Sequence, residues 1–241
     1  MTHLYRKVCR FAALPVCMEY DSPQIGQRLR LYETEETPLY RLSPTAEDIE
    51  FIRRNAEENC PDWYYEFIAL QRALLEAGIH HDIFLLHSSA VELDGRAYLF
   101  TGPSGAGKST HARLWRELLG DRVRMIDDDK PLLRLENGGF TVYGTPWNGK
   151  HRLGDNISAP LAGICFPIQS PENRISPLSG ATLFPRLLNQ LHRPAGAAEL
   201  HRLLELIRLL TDTVPLWDLE CTISREAAEL SFRTMTKGAS L

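Results

Sequence analysis

The chain lacks most of what would hold a protein together from outside its own core. Its five cysteines (Cys9, Cys17, Cys60, Cys165 and Cys221) are odd in number, widely spaced and never arranged as C-x-x-C. That pattern argues against a disulfide framework and against a thiolate metal site, and for reduced thiols in a cytoplasmic protein. No run comes near the ~20 apolar residues that cross a bilayer, and the N-terminal Met-Thr-His-Leu-Tyr-Arg-Lys-Val has no signal-peptide core. Basic charge is not in excess: 27 Lys and Arg stand against 31 Asp and Glu, a net charge of −4. Bulk nucleic-acid binding needs a basic footprint that is missing here. Internal repeats and low-complexity tracts are also absent. The expectation is a protein without membrane or nucleic-acid partners.

What is present is an ordinary globular composition, 44% hydrophobic and 24% charged over 241 residues, enough for one large domain or a domain with an appendage. Turn and periodicity signals divide it at residue 82. Residues 1–82 read as a small α+β segment, with strands at Val8 to Ala13, Leu14 to Tyr20 and Arg28 to Tyr32. A helix start is expected at Ser43-Pro44, and a second helix from Asp62 to Gly78. Residues 83–241 read as an α/β unit. Ile83 to Leu93 and Arg96 to Thr101 form strands around an Asp94-Gly95 turn. A glycine-rich loop and helix follow, then a strand from Val123 and a hairpin around Gly138-Gly139. A buried strand at Leu161 to Ile168, helices near 180–192 and 196–211, a strand at Val214 to Leu219 and a helix from Ser224 complete the unit. Frequent hairpins predict a mixed sheet.

Gly102-Pro103-Ser104-Gly105-Ala106-Gly107-Lys108-Ser109 matches G-x-x-x-x-G-K-[ST] in full, after an apolar strand and at the head of a helix. The glycines let successive N–H groups, from Gly102 through Ser104, Gly105, Ala106 and Gly107 to Thr110, turn toward phosphate oxygens, and the helix end adds its positive dipole. Lys108 would bridge the outer phosphates and Ser109 would ligate Mg²⁺. The motif does not name a reaction. Asn-Lys-x-Asp, Leu-Ser-Gly-Gly-Gln and an Asp-Glu strand end are all missing, which weakens GTPase, transporter and motor readings.

Asp127, Asp128 and Asp129 close the strand that begins at Val123. Adjacent carboxylates repel, so such a cluster is either a solvated loop or a holder of cation and proton. Beside a triphosphate, one could bind Mg²⁺ and another take the proton of an incoming hydroxyl. His87 lies on the strand before the loop, where a lone histidine is commonly a packing or surface residue. The other histidines show no zinc-ligand spacing. Gly144 to Arg152 joins a Gly-Thr-Pro turn to Trp147, Lys150 and Arg152. It reads either as an acceptor-binding or phosphate-stabilising loop or as a surface turn anchored by a buried Trp.

Taken in order, Leu86-His87-Ser88-Ser89-Ala90-Val91, Gly95, Thr101 to Ser109 and Ile126-Asp127-Asp128-Asp129 resemble the catalytic domain of HPr kinase/phosphorylase, a family grouped with ATP-dependent phosphoenolpyruvate carboxykinase. The resemblance spans about 150 residues, from 86 to the last helix. It implies an HPr kinase-type P-loop core and ATP- and Mg²⁺-dependent phosphoryl transfer to a serine or threonine hydroxyl. His87 would assist the acidic pair, Asp128 would be the base and Asp129 would help hold metal. The chain departs from the family at Thr110, where a glutamate is usual, and at Tyr143 to Arg152, where the family's glycine-rich dephosphorylation signature is not recognisable. It is similar to the short stand-alone HPr-kinase-like proteins, some associated with peptide modification. The resemblance therefore implies a peptide or protein acceptor other than HPr, and the residue types at Trp147, Lys150 and Arg152 make them the expected substrate contacts. The family's hexamers imply self-association. A small-metabolite kinase and a nucleotide-responsive binding module are the rival expectations.

Overall fold

The computed structural model describes residues 4–56, 58–149, 151–180 and 183–236. The chain opens with strands β1 (Tyr5–Phe11) and β2 (Leu14–Tyr20), an antiparallel pair turned by Ala12 and Ala13 at φ 48° and 60°. The third strand of this small sheet is β3 (Tyr40–Leu42), parallel to β2. The expected strand at Arg28 to Tyr32 is instead the end of helix α1 (Pro23–Leu29) and a 3-10 turn. Ile25, Leu29 and Tyr32 recur at helical spacing, and all three are buried. Helix α2 (Ala46–Arg54) starts two residues later than Ser43-Pro44 suggests. Its cap is Thr45, in a reciprocal box with Asp48. Helix α3 (Asp62–Gly78) has the expected bounds, and it packs on the small sheet.

The main sheet runs β4-β8-β9-β10-β6-β5-β7, with β12 beside β10 and β11 beside β12, nine strands among the described residues. These are β4 (Ile83–Leu85), β5 (Ser88–Leu93), β6 (Arg96–Thr101), β7 (Val123–Asp127), β8 (Leu132–Glu136), β9 (Gly139–Tyr143), β10 (Ser158–Gln169), β11 (Arg174–Pro177) and β12 (Leu216–Cys221). Helix α4 (Lys108–Leu119) follows β6, α5 (Leu183–Leu188) and α6 (Ala197–Thr213) precede β12, and α7 (Arg225–Met235) ends the chain. Parallel pairs (β10 with β6 and β12) coexist with hairpins, so the sheet is mixed, as the turn signals predict.

Alternation along β6 builds a layer on each face. Ala97 and Leu99 join Leu203, Leu206, Ile207 and Leu210 of α6 on one side. Tyr98 and Phe100 meet Trp115 of α4 and Phe232 of α7 on the other. A third apolar cluster joins the two halves of the chain: Phe11, Phe67, Leu70 and Leu74 pack with Ile83, Leu85, Leu132 and Trp147. Residues 1–82 thus share their core with residues from the second half.

The single strand expected over Ile83 to Leu93 is broken at Leu86-His87. Its first part pairs with β8 and its second with β6 and β7. The break is held by the His87 N–H on Gln190 O at 2.8 Å. It sets His87 at the crossing point, beside the end of β7.

Candidate functional site

The glycine-rich loop leaves β6 at the centre of the sheet and enters α4. Gly105 and Gly107 sit at φ 78° and 100°, where only glycine is unstrained, and nothing lies within 4 Å of a Cβ at either. They are glycines for their backbone, not for space. Lys108, buried at 8% exposure, curls back so that Nζ donates to Gly102 O at 2.9 Å and Pro103 O at 3.2 Å. Burial lowers its pKa, offset by the charges of Asp129 and Asp128.

The three aspartates separate by environment. Asp127 is fully enclosed. Its Oδ1 accepts the N–H groups of Asp129 and Lys130, both at 2.8 Å, and its Oδ2 meets the Thr145 N–H at 2.9 Å and hydroxyl at 2.8 Å. Burial lifts its pKa to about 7 against those hydrogen bonds. Asp127 is the staple that fixes the turn after β7. Asp128 and Asp129 then project toward the loop.

Asp128 accepts the Ser89 hydroxyl at 2.8 Å, and Ser109 Oγ lies 3.3 Å from Ser89 Oγ. Burial raises the Asp128 pKa, partly countered by bonds from Ser89 and Ser109. Asp129 Oδ1 lies 2.9 Å from His87 Nε2, and its Oδ2 is 3.4 Å from Lys130 Nζ. Burial pulls the Asp129 pKa upward, but the bond from His87 and the Lys130 charge outweigh it, and the net displacement is downward. Of the acidic pair that His87 is expected to assist, its ring contacts Asp129, and Asp128 belongs to the Ser89–Ser109 side.

These groups share one cavity of about 410 Å³, lined by His87, Ser104, Gly105, Gly107, Lys108, Ser109, Thr110, Asp128, Asp129, Gly149 and His151. His151 is a site residue that motif reasoning missed, its signal being its place in the Gly144 to Arg152 loop. Backbone packing holds that loop against β7. A Cβ on Gly144 would fall 2.0 Å from Asp155 O and 2.6 Å from Ile126 O, so no other residue fits there.

Two further cavities flank the glycine loop. One of about 270 Å³ lies at the head of α4, beside Thr110, Leu114, Thr222 and Ile223. The other, about 560 Å³, lies beside Gly102, Pro103, Ser104, Gly105 and Ala106, opposite Phe166 and Arg186.

Trp147 is not available to an acceptor. It is 4% exposed, stacks on Phe67 at 4.8 Å, meets Phe11 at 5.6 Å, and donates its indole N–H to Phe67 O at 2.8 Å. Its partner lies 80 residues away in the sequence, so the correction follows from tertiary packing. Arg152, exposed and at φ 54°, is absent from the cavity lining. Its charge acts on Arg28 instead. Lys150 lies outside the described residues. Among the described residues no cluster of His, Cys, Asp and Glu has metal-site geometry, and no helix is long and apolar enough to cross a membrane.

Fold and site define a mixed α/β protein in which a glycine-rich loop at a helix head faces an acidic strand end and a histidine. No family model matches the chain, and no curated protein matches it in sequence. Among solved structures it is similar to the Hpr(Ser) kinase/phosphatase from Coxiella burnetii, at 12% identity over 64% of this chain and 88% of that one, with a TM-score of 0.37. At that level the likeness decides nothing about chemistry, which rests on this chain's own residues.

Proposed function

We propose that the protein is a kinase that transfers the γ-phosphoryl group of ATP, with Mg²⁺, to a serine or threonine hydroxyl of a peptide or protein. The observation that carries this reading is the single cavity holding Lys108 and Ser109 together with Asp128, Asp129 and His87. Phosphoryl transfer needs phosphate cradling, charge neutralisation and a proton acceptor, and each has a residue there.

The loop N–H groups and Lys108 would hold the phosphates, with the nucleoside in the 270 Å³ cleft by Thr110 and Leu114. Ser109 and Asp128, linked through Ser89, form an oxygen-donor set that suits a hard cation. Bound there, Mg²⁺ would supply neutralisation of the phosphate charge. Asp129, ionised and oriented by His87, is placed to take the acceptor hydroxyl's proton. This exchanges the roles that the resemblance assigns to Asp128 and Asp129.

The test is γ-labelled ATP with the two asparagine variants. Asp129→Asn should lower transfer by roughly 10²- to 10⁴-fold while the KM for ATP stays within about threefold. Asp128→Asn should instead raise the Mg²⁺ concentration required. Full turnover in Asp129→Asn would overturn the base assignment, and labelling of no acceptor by the wild-type protein would overturn the kinase reading.

A further inference from the structure

The 560 Å³ cavity adjoins the start of the glycine loop, Gly102 to Ser104. That is the end to which Lys108 returns, Nζ lying on Gly102 O and Pro103 O. In loops of this type the lysine marks the outer phosphates, whereas the helix head holds the inner ones. The cavity shares Ser104 and Gly105 with the site holding Asp128 and Asp129. Its wall residue Gln190 accepts the backbone N–H of His87. The cavity thus meets the site of the His87–Asp129 pair along Ser104 and Gly105.

The lining has a distinct chemistry. Phe166 and Ile168 provide an apolar wall, and one cation, Arg186, stands against it. Arg186 is held twice: its guanidinium lies over the Phe166 ring at 4.3 Å, and Nη1 contacts the Asp218 carboxylate at 2.7 and 2.9 Å. Among the described residues its ion pairs and hydrogen bonds run through Nη1 alone, which leaves Nε and Nη2 as an oriented donor edge. The side chain is 32% exposed, so that edge is reachable. A planar fork with one edge fixed and one open matches a carboxylate. The volume suits a short peptide stretch rather than a folded domain surface.

Resting on the kinase reading above, we propose that this cavity is the acceptor site and that Arg186 selects a hydroxyl-bearing peptide segment with a carboxylate close to the hydroxyl. The carboxylate can come from an adjacent Asp or Glu side chain or from the free end of a peptide chain, and both present the same group to Arg186.

Two matched pairs of synthetic peptides separate these sources: an internal serine followed by Glu or by Gln, and a C-terminal serine as free acid or as amide. Transfer from γ-labelled ATP is measured for wild type, Arg186→Gln and Asn189→Asp. In wild type the neutral member of one pair should show a KM about ten- to a hundredfold higher than its charged partner, the usual span for a charge-assisted hydrogen bond. Arg186→Gln should shrink that ratio to about twofold without a matching change in the KM for ATP. Arg186→Gln also strands Asp218, so Asn189→Asp serves as the second variant: it leaves the Arg186–Asp218 pair in place and puts a negative charge on the rim. It should raise the KM of the charged peptide by about fivefold more than that of the neutral one.

A carboxylate preference that survives in both variants, or no preference in wild type despite transfer, overturns the acceptor assignment and leaves the kinase reading standing. Label on free L-serine but on no peptide overturns it as well. Label on no acceptor at all, with ATP bound, overturns the kinase reading and this one together.

Discussion

Replacing Trp147 separates two meanings of the loop that carries it. If the indole were an acceptor platform, Trp147→Ala would leave the free protein as stable as wild type and raise only the acceptor KM. The packing says otherwise. The ring is 4% exposed, lies between Phe67 and Phe11, and holds the Phe67 carbonyl with its N–H. Truncating a buried Trp to Ala costs about 3–5 kcal/mol, and stranding the carbonyl adds about 1 kcal/mol. Domains have about 5–15 kcal/mol in total, so the loss is a large fraction of the whole. With a urea m-value of about 2–3 kcal/mol/M, the midpoint should fall by roughly 1.3–3 M with no ligand present. Trp147→Phe keeps the ring contacts and loses the hydrogen bond, so it should cost only about 1–2 kcal/mol. Equilibrium urea unfolding followed by far-UV circular dichroism reads both, since the variants remove a fluorophore. An unchanged midpoint in Trp147→Ala would refute the anchor assignment.

Lys108→Ala should reduce transfer by at least about a hundredfold with the fold intact, because it removes the cation aimed at the outer phosphates; an activity near wild type in a labelled-ATP assay would contradict the site. His111 is buried, and burial lowers its pKa from 6.5 to about 4, so the folded state resists its protonation. Its contribution is therefore complete above pH 6.5 and is lost as pH falls toward 4, a span of about 3 kcal/mol; urea midpoints across that range should decline in wild type and flatten in His111→Gln. Gly144→Ala should prevent stable folding, since its Cβ would overlap two backbone oxygens; a soluble variant with a wild-type midpoint would show that the segment at Asp155 can move aside.

The parts of the fold that were legible in the sequence are those encoded locally. Asp94-Gly95, at φ 50° and 81°, specifies the β5–β6 hairpin with Leu93 opposite Arg96. The glycine loop carries its own backbone logic, and the Val123 strand does end at the aspartates. The misses have nonlocal causes. Ala12 and Ala13 turn β1 into β2 at positive φ without any turn residue, with Ala12 buried in the shared apolar cluster and its carbonyl held by Arg134. In the second hairpin the turn is Asn137-Gly138 rather than Gly138-Gly139, a one-residue shift. Three consecutive aspartates read alike until the fold buries the first and aims the other two. His87 gains its partner only because the chain breaks between β4 and β5, a change of sheet position that an unbroken apolar run conceals. Arg174 on β11 is paired across the sheet with Glu220 on β12, a partner that sequence distance conceals.

The cluster that joins Phe11, Phe67 and Leu74 to Ile83, Leu85, Leu132 and Trp147 has a practical meaning for anyone who divides this chain. A piece cut at residue 83 would keep every motif residue and still lose the apolar partners of two strands and of the loop that carries Gly149 and His151. It would meet water with a freshly opened face instead of a finished one, inviting self-adhesion. The boundary that motif content suggests and the boundary that solubility requires are therefore different lines. Only the longer piece keeps the wall of the phosphate cavity in place.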